Sequence, residues 1–130
     1  MKTKLIPFLL ALIIGVAVSS MAADAPMKKT ALRHVVALKF KDGTGAAEIK
    51  KIEDAFRALK SKIPQIAALE WGINNSPEQK NKGFTHCFVL TFKSDEDRQA
   101  YLPHPAHKAF GQVLGPVLDD VLVIDFWAQP

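Results

Sequence analysis

Two stretches, Leu32 to Phe40 and Phe84 to Lys93, narrow the folds open to this chain more than anything else in its 130 residues. In each, side chains alternate between two faces with the period of two that a β-strand imposes. His34, Val36, Leu38 and Phe40 share one face of the first stretch, and Val35, Ala37 and Lys39 share the other. In the second, Phe84, His86, Phe88, Leu90 and Phe92 alternate with Thr85, Cys87, Val89 and Thr91. Both faces of the first stretch are largely apolar, and the second adds Cys87 and Val89 to its outer face. A half-solvated strand keeps one polar face, so these strands belong to a sheet covered on both sides.

The rest of the chain supplies cover for one side. Asp42-Gly43 breaks the first strand, and Thr44 is the expected N-cap of a helix over Gly45 to Lys62. Ile49, Ile52, Phe56, Leu59 and Ile63 form its apolar stripe, while Lys50–Asp54 and Glu53–Arg57 read as i,i+4 ion pairs on a solvated face. Pro64 stops it. Ala67 to Ile73, with Trp71, reads as a second strand, and Asn74 to Gly83 as a polar loop. Ser94 followed by Asp97 marks the start of a helix over Asp95 to Tyr101. A further helix covers Ala106 to Leu114 and ends at Gly115-Pro116, and Val121 to Trp127 is the last strand. Right-handed crossovers turn this order into an α+β, ferredoxin-like βαββαβ subunit with a four-stranded antiparallel sheet and helices on one face. The bare face carries Val35, Ala37, Cys87, Val89 and part of the last strand, and a second copy of the chain is expected to cover it as a homodimer. Cys87 is the lone cysteine and reads as a buried, inert thiol rather than half of an intrachain disulfide.

Titratable chemistry concentrates between Gln99 and Phe110. Tyr101, His104 and His107 lie there, separated by Pro103 and Pro105. Pro103 disfavours helical geometry at Leu102, so the arriving helix should end there. Pro105 suits the first position of the next helix, which puts His104 at its N-cap and His107 in its first turn, where amide dipoles favour anionic ligands. The bend brings Tyr101 and His107 over one surface. His34 occupies the first-strand face with Val36, and His86 the corresponding face of the third strand, where it either contributes or packs. Imidazole has the proton affinity a general base needs near neutral pH. A tyrosine can donate to a carbonyl as enolate charge develops. Trp71, Phe110 and Trp127 are candidate pocket or core walls, and Asp125 stands where it could orient a histidine or sit at an edge. Three histidines could also ligate a metal, but their spacing does not follow H-E-x-x-H, and no metal or cofactor is assigned.

Residues 1–22 read as a secretory signal. Lys2 and Lys4 precede an apolar run from Leu5 to Val18, and Ser20-Met21-Ala22 presents small residues for cleavage before Ala23. The run is short for a bilayer span, so no stable membrane anchor is expected. Residues 23–31 read as a flexible leader and 32–130 as the domain. Cleavage removes Lys2 and Lys4, which lowers the formal charge from +4 to +2. The remaining lysines are interleaved with acids, so no basic stripe argues for nucleic acid. The expected location is periplasmic or secreted.

His34-Val-Val-Ala-Leu-Lys-Phe-Lys41, Trp71-Gly72, Thr85-His86, Leu90-Thr-Phe92-Lys-Ser94 and Tyr101-Leu-Pro-His-Pro-Ala-His107 together resemble the stress-responsive dimeric α/β-barrel (Dabb) family. The resemblance runs from His34 to Trp127. It implies a ferredoxin-like subunit, two of which close a barrel, and a pocket between the helices and the concave sheet. Some plant members resemble polyketide cyclases, which close a poly-β-keto chain by an aldol step without cofactor; others are known only as stress-induced. The cyclising pattern falls on His34, Tyr101 and His107. Cyclising members also carry a tyrosine on the first helix, where this chain has Phe56.

His34, Tyr101 and His107 are therefore the candidate catalytic residues, with Phe56, Trp71, His86, His104 and Phe110 as candidate binding residues. Two functions follow. One is a cofactor-free lyase, cyclase or isomerase acting on a small apolar or carbonyl-containing ligand, with His107 as base. The other is a small-ligand binder or stress protein without turnover.

Overall fold

The computed structural model describes residues 30–129. The signal and most of the leader assigned above, at residues 1–22 and 23–29, lie outside the described residues. Within them the chain forms β1 (Leu32–Phe40), α1 (Ala46–Lys62), β2 (Ala68–Ile73), β3 (His86–Phe92), α2 (Asp95–Tyr101), α3 (Pro105–Leu114), a single 3₁₀ turn (Gly115–Val117) and β4 (Leu118–Trp127). The strands make one antiparallel sheet in the order β2-β3-β1-β4. This is the ferredoxin-like α+β arrangement that the strand and helix order implied.

The alternation in β1 and β3 sorts inward from outward side chains as expected. Leu32, His34, Val36 and Leu38 are buried, as are His86, Phe88, Leu90 and Phe92. They meet Ile52, Phe56 and Leu59 of α1, Tyr101 of α2, and Phe110 and Leu114 of α3 in one core. Phe56 stacks on Phe88 with centroids 3.8 Å apart and meets Phe110 edge-on at 4.9 Å. Trp71 lies directly across from Phe88 in the sheet and stacks on it at 5.5 Å.

Beyond shifts of one or two residues at element ends, four local details depart from the sequence reading. Gly45, not Thr44, is the N-cap of α1. Thr44 Oγ1 donates instead to the Lys41 carbonyl at 2.7 Å and closes the turn around Gly43, which needs a φ of +80°. The Glu48 carboxylate accepts from the Gly45 N–H at 3.1 Å and does the capping. The Lys50–Asp54 pair forms, but Glu53 turns toward the sheet and Arg57 pairs with Asp54. Leu102 keeps helical angles despite preceding Pro103. The helix α2 still ends there because Pro103 has no N–H to continue the ladder. Finally, β4 starts at Leu118 rather than Val121: Leu118 pairs with Phe40 and Asp120 with Lys39 across a register shift that leaves Asp119 out of the ladder, its carboxylate 2.7 Å from Lys39 Nζ.

The face away from the helices is uncovered within the subunit. Cys87 is exposed there, which corrects the expectation of a buried thiol. The cause is the strand period: Cys87 alternates with His86 and Phe88 and must point away from the helices. The edge strand β4 is exposed on both faces: Leu122, Ile124 and Phe126 on one, Val121, Val123 and Trp127 on the other.

Candidate active site

Three aromatic rings from three elements line up beneath the Pro corner. His34 of β1 meets Tyr101 of α2 edge-on with centroids 5.6 Å apart, and Tyr101 meets His107 of α3 at 4.4 Å. The Pro corner brings this about. Ser94 Oγ accepts from the Asp97 N–H at 3.1 Å and starts α2, so that Tyr101 ends it facing inward, 1% exposed. The His104 N–H then donates to the Tyr101 carbonyl at 3.0 Å, and His104 Nδ1 accepts from the Ala106 N–H at 3.1 Å. His104 thus caps α3, as its position before Pro105 suggested, and its ring is engaged by the backbone. One turn on, His107 returns over Tyr101.

The outer two rings are held in the same tautomer. His34 Nδ1 lies 2.6 Å from Asp125 Oδ1, and a carboxylate oxygen only accepts, so Nδ1 carries the proton. His107 Nδ1 lies 2.9 Å from the Leu102 carbonyl oxygen, which likewise only accepts. In each neutral ring the lone pair is therefore on Nε2. His34 is buried and His107 half-buried. Between them, burial pushes the Tyr101 phenol well above its ordinary value, so that it stays an O–H donor throughout the neutral range. Phe92 walls the row, 6.2 Å from His34 and 5.2 Å from Tyr101. The group is two imidazole acceptors flanking one hydrogen-bond donor, a set that contains the base and the donor used in proton abstraction beside a carbonyl.

The other candidates sit elsewhere. His86 is a second buried imidazole with both nitrogens engaged: Nε2 is 3.0 Å from Glu53 Oε1 and Nδ1 is 2.9 Å from Thr85 Oγ1. It packs edge-on against Phe40 at 5.1 Å and stacks with Trp71 at 6.4 Å. Trp71 is half-buried, with the Arg57 guanidinium 5.8 Å from its ring. Phe56 and Phe110 are core rings. Trp127 is exposed on the last strand. Among the described residues no three of His, Cys, Asp and Glu cluster as metal ligands.

The sequence reading missed two polar contacts: Glu53, read there as a solvated partner of Arg57, bonds His86, and Arg98 bonds Asp125. Glu53 follows Ile49 by four and precedes Phe56 by three, so it borders the apolar stripe; that spacing was the available signal. Arg98 donates to Asp125 Oδ2 at 2.7 Å and had no signal beyond its distance from Tyr101.

The stress responsive A/B barrel domain model matches residues 32–128. The chain belongs to that family. Among A/B barrel relatives, it is 37% identical over 98 residues to the stress-response A/B barrel domain-containing protein HS1 of Arabidopsis thaliana, covering 75% of this chain and 90% of that one. It is 33% identical over 96 residues to olivetolic acid cyclase of Cannabis sativa, covering 74% and 95%. A solved dimeric ferredoxin-like protein of unknown function from Jannaschia superposes with a TM-score of 0.64 at 27% identity, over 75% of this chain and 99% of that one.

Proposed function

We propose that this A/B barrel protein is a cofactor-free acid–base catalyst of the lyase, cyclase or isomerase type, acting on a small ligand with an apolar body and a carbonyl group. The row His34–Tyr101–His107, with both outer rings fixed as Nδ1–H tautomers, carries this reading. His107 Nε2 takes a proton from the carbon beside the carbonyl. Tyr101 donates to the carbonyl oxygen as enolate charge builds, and His34, whose bare Nε2 can only accept, stands as a second acceptor on the buried side. In a cyclisation the enolate carbon then attacks a second carbonyl, and the proton returns to the new alkoxide. The olivetolic acid cyclase relative supports this class of chemistry. Val121 and Val123, 42% and 50% exposed on the helix-facing side of β4, offer the apolar body a wall beside Asp125.

The working unit in this proposal is a homodimer closed over the bare sheet face, in keeping with the dimeric state of the Jannaschia relative. Export to the periplasm or beyond, with residues 1–22 removed, belongs to the same proposal.

A second reading, a binder without turnover, is favoured by Phe56. It stacks face to face on Phe88 and supplies no hydroxyl at the first-helix position where the resemblance leads one to expect a tyrosine.

The test is exchange of the α-hydrogens of a medium-chain methyl ketone, 2-heptanone, for deuterium in the presence of the protein. Exchange above the buffer rate is expected, with His107→Asn lowering it about 10²–10⁴-fold. Saturable binding with no exchange selects the binder. Exchange that ignores His107→Asn and Tyr101→Phe overturns the assignment of the site.

A further inference from the structure

The inner histidine is joined to the surface by a chain of charges. Arg98, on α2, donates from one guanidinium nitrogen to Asp125 Oδ2 at 2.7 Å and from the other to Asp95 Oδ1. Asp125 Oδ1 holds His34, and Asp95 Oδ2 accepts from Gln99 at 2.5 Å. Side-chain exposure is 42% at Asp95, 25% at Arg98, 29% at Asp125 and 6% at His34. The carboxylate that orients the buried imidazole therefore stands at the boundary with water, on an exposed edge strand. A carboxylate in that position is free to turn toward solvent unless its second oxygen is tied down.

The fork of the guanidinium supplies the tie. Its two arms leave in a fixed plane, one to β4 and one back to the first turn of its own helix, so Arg98 is itself held at the far end. A lysine ammonium is a point donor on a flexible stem and does not reproduce that bridge. An ion pair at the boundary with water adds little to stability, so the consequence of this one is orientation.

We infer that Arg98 is a positioning residue. Acting through Asp125, it fixes the ring and the Nδ1–H tautomer of His34, and so presents the Nε2 lone pair to a ligand lying against Tyr101. The inference rests on the acid–base reading given above, and second-sphere partners of a histidine act in this way at other sites.

The experiment is ¹⁵N NMR of the His34 ring in the full chain at one neutral pH. The wild type should show one protonated and one bare nitrogen. Arg98→Met should lose that single-tautomer signature and show averaged nitrogens, and Arg98→Lys should recover it in part. If Arg98→Met does not fold, Asp95→Ala, which releases only the far arm, is expected to average the nitrogens to a smaller extent. A folded Arg98→Met or Asp95→Ala chain with an unchanged His34 signature overturns the inference. Full recovery in Arg98→Lys overturns the forked bridge and leaves charge alone. The two failures are separable. Ketone exchange indifferent to His107→Asn removes the proposed function and leaves the tautomer result standing; an unchanged tautomer removes the role of Arg98 and leaves the exchange result standing.

Discussion

Tyr101 is the residue on which the site turns, and its burial has a measurable consequence. Burial holds the phenol protonated well above its ordinary value of about 10, whereas the unfolded chain releases the proton near that value. The unfolded state then binds fewer protons, so stability falls as pH rises above about 10. The stabilisation is fully present below that value. The expected loss is about 1.4 kcal/mol per pH unit until the folded phenol also ionises. Urea midpoints of wild type and Tyr101→Phe between pH 8 and pH 11 (a range bracketing that value) check this: their difference should be flat at first, and the wild type should then fall faster. The partners of Tyr101 were legible as residue types in the Pro corner and the first strand. The tautomers of His34 and His107 were not, because they depend on which acceptor lies beside each Nδ1.

At the scale of elements, α3 and α1 make different demands. The start of α3 rests on one imidazole: His104 Nδ1 accepts from the Ala106 N–H. His104→Ala should cost about 1 kcal/mol, and His104→Asn, another good cap, should restore most of it. Chemical denaturation of the two variants is the measurement. The contribution of α1 is its apolar stripe, and Phe56 lies between Phe88 and Phe110 at its centre. Phe56→Ala removes a fully buried ring and should cost about 3–5 kcal/mol by the same measurement. The helix α3 was readable from Pro105 and its capping His104, and α1 from the spacing of its stripe, though its N-cap is Gly45 and not Thr44. The ends of β4 were not, since Asp119 and Asp120 look like loop until Lys39 and the β1 ladder are placed beside them.

At the scale of the molecule, the exposed faces of β4 decide behaviour. Leu122, Ile124 and Phe126 are 46%, 51% and 47% exposed in the subunit. Surface of this extent is uncommon on a protein that stays single. The proposed homodimer should sediment at twice the subunit mass at micromolar concentration. Val89→Asp or Ile124→Asp should weaken it by about 3–5 kcal/mol, more than a hundredfold in Kd. A folded wild-type monomer would contradict the assembly. For export, the released protein is expected to begin at Ala23, which N-terminal sequencing will show.

The sequence by itself determined the elements and their faces. Period-two alternation, helical stripes, Ser94 and the two prolines act through neighbours within a turn or a pleat, so the chain carries them locally. It placed His34, Tyr101 and His107 on faces that meet. Tertiary structure alone decided what each polar group touches. Asp125 reaches His34 across 91 positions of sequence and Glu53 reaches His86 across 33. Both contacts exist only once strand register and helix rotation are set by burying the whole core. The same holds for Arg98, held between Asp125 and Asp95. Such surroundings come from the packing of distant elements, which no local pattern encodes, and a pair such as Glu53–Arg57 is forgone when a buried imidazole requires the acid more.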